Sequence, residues 1–180
     1  MPQAAAHILV PLILMSLIRD FWIRRKGKKS FPLHYVLIAG IAGIIPDLDV
    51  LAYWGLYFSG FTIEQVHRTF IHSIFIVLIF LVLALLTSHE KIPQLGRHKL
   101  RISIIFLMMA FGTLIHLILD ALLAGYIMPL YPFSQFAIGV NLFGYLPLSL
   151  EAIAAPCLDA GLMVFYLIYL EMKHKISDFI

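Results

Sequence analysis

Apolar residues gather into five long stretches, and charged residues fall mostly between them. The stretches cover about 4–23, about 33–46 with a shorter continuation at 50–59, then about 71–88, 101–124 and 150–172. None alternates with the period of two expected of a barrel strand, so each is read as a helix. A hydrocarbon core about 30 Å thick takes about 20 apolar helical residues. The pattern therefore predicts an all-α, polytopic membrane bundle with about five transmembrane helices. The second stretch is interrupted at Pro46-Asp47, where the proline ends a regular helix. Between the last two stretches, Gly125, Pro129, Pro132, Gly139, Gly144 and Pro147 break the pattern. That segment reads as re-entrant or surface-lying, which is tolerated at membrane depth only where it lines a cavity or water. Ala39-x-x-x-Gly43, with Gly40 inside it, predicts close helix packing.

Composition agrees. The 180 residues are 62% hydrophobic and 13% charged, with mean hydropathy +0.96. No soluble domain of this length needs so much apolar surface, so residues 1–180 are read as a single integral membrane domain without repeats or linkers. A signal peptide is not expected at 4–23, because the basic cluster follows the apolar stretch instead of preceding it. The only cysteine, Cys157, excludes an internal disulfide and a multi-thiolate metal site. The net charge of +3 reads as topology charge, and no aromatic-interleaved basic patch points to nucleic acid.

Charge also orients the chain. Arg24, Arg25, Lys26, Lys28 and Lys29 follow the first stretch. Lys91, Arg97, Lys99 and Arg101 separate the third from the fourth, and Lys173 and Lys175 follow the fifth. With five spans these groups share one side, and the positive-inside rule makes it cytoplasmic. The N-terminus is then outside and the C-terminus inside. Counting about 1.5 Å per residue from the cytoplasmic ends, His7, Asp47, His72, His116, Asp120 and Glu151 all lie about 21–30 Å up their helices. They form one layer near the outer leaflet. His34, His89, His98 and His174 fall at the cytoplasmic boundary.

Ionisable groups at that depth cost several kcal/mol (about 2.5–3.5 each) unless compensated. A shared divalent metal is the simplest compensation. His116-x-x-x-Asp120 puts two ligands at i and i+4 on one helical face, so a single helix clamps one ion or Asp120 bridges two. Pro46-Asp47-Leu48-Asp49 bends the chain so that both carboxylates can turn inward, with Asp49 the more cap-like or outer-shell of the pair. His67-Arg68-x-x-x-His72 adds two imidazoles flanking an arginine. The planar fork of Arg68 suits phosphate or carboxylate, and equally suits a lipid-headgroup anchor. His7 joins on depth alone. Glu151 joins on depth too, although acids are favoured at helix starts in any case.

The series His7, Pro46-Asp47-Leu48-Asp49, His67-Arg68…His72-Ser73, His116-x-x-x-Asp120, Gly125 and Pro132-Phe133-Ser134 resembles the YdjM-type family of membrane-bound, metal-dependent hydrolases. The likeness covers about residues 4–135 in order. The family is distantly similar to the zinc-dependent phospholipase C and single-strand nuclease superfamily, all-helical phosphoesterases with clustered zinc. By that resemblance His7, Asp47, His67, His72, His116 and Asp120 are metal-site residues. Those relatives carry a further His-x-x-x-Glu helix that completes a three-metal cluster. Here no histidine lies between His116 and His174, and only Glu151 stands in. Two ions are expected rather than three.

The expected function is a membrane-embedded, metal-dependent hydrolase, a phosphoesterase acting on a lipid or lipid-linked phosphate at the outer interface. Zinc fits nitrogen and oxygen donors without thiolates, and manganese or iron(II) use the same set. Asp47, Asp49 and Arg68 are the catalytic candidates. Two readings of other classes stay open: a metal-ion or proton transporter using these residues as a relay, and a structural protein whose metal only staples the helices.

Overall fold

The computed structural model describes residues 4–27, 30–60, 71–89, 100–123 and 125–175. Six α-helices are found among the described residues. Helix α1 is Ala4–Lys26, ending on Arg24, Arg25 and Lys26 at the negative end of its dipole. Helix α2 is Leu33–Ala42. A turn and a 3-10 segment, Pro46–Leu48, lead into α3, Asp49–Leu56. Helix α4 is Ile74–His89, α5 is Ile102–Leu123 and α6 is Leu148–His174.

Helix α5 is the hub. It packs against α4, α2 and α1, while α1 also packs against α2 and α6. Leu12, Met15, Tyr35, Val36, Ala39 and Met108 form one buried cluster. Val77, Phe80, Ala110, Leu117 and Ile127 form a second. Without a hydrophobic drive between helices in lipid, close backbone contact has to hold them. Gly112 supplies it between α5 and α2, since a Cβ there would overlap the Ala39 carbonyl oxygen. The outward faces carry Leu17, Phe21, Ile41, Leu85, Leu107 and Phe165, all exposed, as a lipid-facing surface requires.

The all-helical membrane bundle is as predicted, and the described residues hold three to four candidate spans, slightly fewer than the five expected. Helices α1, α5 and α6 are long and apolar enough to cross a membrane. A fourth crossing is available from α2 and Pro46–Ser59 together, which meet at 47°. Helix α4 has 16 residues, short of the ~20 a span needs. The reason lies in its predicted first turn. Residues 71–73 are turned, not helical, and bury His72 and Ser73 inside the bundle.

The Pro/Gly-rich stretch 125–147 lies across the same end of the bundle. The Pro129 carbonyl accepts the Ile74 N–H at 2.9 Å, and Ala121 O, near the end of α5, accepts the Val140 N–H at 2.7 Å. These bonds satisfy backbone groups that a helix end leaves open. At the opposite end Arg19 and Asp20 are paired. Arg19 Nε donates to Phe31 O at 3.1 Å, and Tyr169 Oη donates to Asp20 Oδ2 at 2.9 Å, tying α6 to α1.

Candidate metal centre

Four chain segments deliver ionisable side chains to one end of the bundle, away from the basic helix ends. His7 comes from the first turns of α1, Asp47 and Asp49 from the bend after α2, His72 from the turn before α4, and His116 and Asp120 from the last turns of α5. His7, His72 and His116 are among the most buried side chains of the protein.

Asp120 stands between the histidines. Its Oδ1 lies 3.5 Å from His7 Nε2, and its Oδ2 lies 3.6 Å from both His72 Nε2 and His116 Nε2. The two latter nitrogens are 3.3 Å apart. Asp47 Oδ1 is 3.6 Å from His72 Nε2 and 3.7 Å from His116 Nε2. His72 Nε2, His116 Nε2 and Asp120 Oδ2 thus surround one point with spacings close to the edge of a tetrahedron, and Asp47 Oδ1 lies beside both nitrogens. Ligands about 2.0–2.1 Å from an ion stand about 3.4 Å from each other. His7 Nε2 and Asp120 Oδ1 offer donors for a second position beside it. Two overlapping groups, His7/Asp47/His116 and His72/His116/Asp120, can each hold a metal ion.

The tautomers sharpen this picture. His116 Nδ1 lies 2.7 Å from the Gly43 carbonyl oxygen, which can only accept, so Nδ1 carries the proton and Nε2 a lone pair. His72 Nδ1 lies 3.1 Å from Asp49 Oδ2, with the same consequence. When both rings are neutral, both Nε2 atoms turn lone pairs toward each other and toward two carboxylates. Neutral imidazoles and carboxylates repel in that arrangement, and a shared cation resolves it. The outer partners, a carbonyl for His116 and a carboxylate for His72, match the way metal-bound histidines are oriented elsewhere. With three carboxylates and no compensating lysine or arginine among the described groups at this end, one or two divalent ions fit the charge as well as the geometry.

The structure brings His7, Asp47, His72, His116 and Asp120 together, with Asp49 behind His72. His67 and Arg68 lie outside the described residues. Glu151 is exposed in the first turn of α6 and belongs to neither ligand group. Two features escaped the sequence reading. One is the carbonyl of Gly43, since a backbone acceptor leaves no signature. The other is Asp159, an acid in the middle of α6, buried at 8% exposure; an ionisable residue inside an apolar span was the available signal.

Gly43 does two jobs. Besides orienting His116, it sits where a Cβ would overlap the His7 carbonyl oxygen. Gly43→Ala must therefore push α1 from α2 or tilt the bend, at a cost of about 1–3 kcal/mol. The expected outcome is a lower melting temperature together with weaker metal retention. Ala at Gly55, where nothing crowds a Cβ, should leave both unchanged.

The sequence profile of the YdjM inner membrane protein family matches residues 1–176. No curated protein and no solved structure matches the chain. A helical membrane bundle with a buried His/Asp cluster that can hold metal, matched over nearly its whole length, belongs to the YdjM inner membrane protein family.

Proposed function

We propose that the protein is a metal-dependent phosphoesterase acting on a lipid or lipid-linked phosphate, with its centre near the outer leaflet, its N-terminus outside and its C-terminus cytoplasmic. One observation supports an enzyme over a helix staple. The side chains of His72 and His116 are 0% exposed and that of Asp120 is 4%, whereas that of Asp47 is 27%. The cluster is closed on the bundle side and open beside Asp47. Structural metal sites are closed, and catalytic ones keep an open position. A transporter needs polar groups through the full thickness. Here the described interior between the centre and the basic ends is built around Leu12, Met15, Val36, Ala39 and Met108, and the polar side chains buried with them, Ser16, Tyr35 and Thr113, carry no charge.

A bound zinc-type ion would supply Lewis acidity and a water ionised near neutral pH. The chain's own part is positional. His72 and His116 present Nε2 because Asp49 and Gly43 O hold their Nδ1 atoms. Asp47, at the open side, is placed to accept the proton of an attacking water. Arg68, four residues before His72, would neutralise phosphoryl oxygens with its bidentate fork. A long-chain substrate is supported by an apolar cavity of about 530 Å³, lined by Met15, Trp22, Phe31, Val77, Met108 and Phe111 among others. Its walls come from α1, α4, α5 and the start of α2, helices that also lead to the centre.

The test is turnover in sealed vesicles. Zinc-loaded protein should hydrolyse some member of a panel of phospholipids and isoprenoid phosphates, supplied on the face opposite the basic helix ends. EDTA and Asp120→Ala should each abolish it. Arg68→Lys should keep the metal and lose about tenfold or more in rate, because a point charge cannot reproduce the fork. No chelator-sensitive turnover across the panel would leave the staple reading in its place.

A further inference from the structure

Two of the three clustered histidines have an oxygen close to Nδ1, each from a different segment: Gly43 O 2.7 Å from His116 and Asp49 Oδ2 3.1 Å from His72. The third does not. His7 Nδ1 is buried with no hydrogen-bond partner among the described residues. The complementary orphan is on α6. Asp159 is 8% exposed, and neither of its carboxylate oxygens has a hydrogen-bond partner among the described residues. The backbone N–H of Ala6, the residue before His7, faces its carboxylate where α6 packs on α1. A helical side chain leans toward the N-terminus of its own helix, so the His7 ring lies over the turn that contains Ala6. A buried imidazole nitrogen without a partner and a buried carboxylate with spare acceptor capacity thus sit at the same turn of the same helix contact. Each alone is costly in an apolar surround.

We propose that Asp159 is the positioning partner of His7, its carboxylate accepting the His7 Nδ1–H, directly or through one water, when Nε2 faces a metal ion. This rests on the metal reading of the centre. It gives α6 a role, since its Glu151 reaches neither ligand group. It also completes a common design in which every imidazole is aimed by a group behind it. The α1–α6 contact then becomes part of the metal site, and the ion position next to His7 depends on α6 staying docked.

The experiment uses the full-length protein in detergent or lipid, labelled with 15N-histidine, with zinc as the probe. In the wild type, three imidazole N–H resonances should appear on zinc loading, the His7 signal being identified by its loss in His7→Asn. Asp159→Leu, which removes the acceptor at similar size, should weaken zinc binding about 10–100-fold at one of two sites. It should also shift the His7 N–H upfield while leaving the His72 and His116 signals in place. Asp159→Asn keeps an acceptor oxygen and should restore most of the affinity with a smaller shift of the same resonance. If Asp159→Leu does not fold, the Asp159→Asn shift alone decides. An unmoved His7 resonance, or wild-type zinc affinity in Asp159→Leu, overturns the proposal. A wild type that binds no zinc overturns the metal centre instead.

Discussion

Replacing Asp120 with alanine is expected to cost the protein nearly all of its bound metal. Among the described side chains of the centre, Asp120 approaches the three imidazoles most closely. Its Oδ2 lies 3.6 Å from the Nε2 atoms of His72 and His116, the other members of its candidate ligand group, and its Oδ1 lies 3.5 Å from His7 Nε2 of the second group. Losing an outer-shell partner already weakens a metal site about 10–100-fold, so losing this bridging ligand should exceed about 100-fold. Competition against a zinc chelator measures it. His89→Ala, at the last residue of α4 and therefore at the far end of the bundle, should bind zinc like the wild type. Equal losses in the two variants would place the ligands elsewhere.

Metal removal should also destabilise the fold. Without a cation, three carboxylates and three imidazoles are held together inside an apolar bundle, with the lone pairs of His72 and His116 opposed at 3.3 Å. An ion present at about a thousand times its dissociation constant contributes about 4 kcal/mol. For a chain of this length that corresponds to a melting temperature about 10 °C lower after EDTA treatment. Asp120→Ala should show little further loss on chelation. Acid should mimic EDTA. Histidine ligates only when neutral, with an ordinary pKa of about 6.5, so metal-linked stability is complete above that value and lost as pH falls through it. Thermal unfolding at several pH values, with and without chelator, checks the sign. A melting temperature indifferent to both would mean that no ion holds these helices.

How much of this was legible beforehand depends on what each feature leaves in the sequence. Helix identity and the break at Pro46 were legible because apolar runs and proline act locally. His116 and Asp120 were legible because i and i+4 is a property of one helix. His7, Asp47 and His72 were reached through a shared depth, an argument that works only because a membrane imposes a common ruler on separate helices. The same ruler misplaced Glu151. Depth says nothing about which way a side chain faces, and the start of α6 is turned out of the bundle. The span count failed at residues 71–73, where an apolar sequence is spent burying His72 instead of facing lipid. Asp159 was visible as an acid in a long apolar run, yet its partner across the helix contact is not written in the chain. Gly43 was read as a packing glycine, which it is. Its carbonyl's hold on His116 emerges only when α2 and α5 are brought together.

The most direct test of the account is elemental analysis of the purified, full-length protein, prepared without chelators and then offered zinc, manganese or iron(II). Five side chains place their donor atoms around two adjacent positions, and each ion takes three or four protein ligands, one of them shared. The account predicts about two transition-metal ions per chain, falling to near zero in Asp120→Ala. Protein that stays folded and binds none of these ions after loading would contradict it.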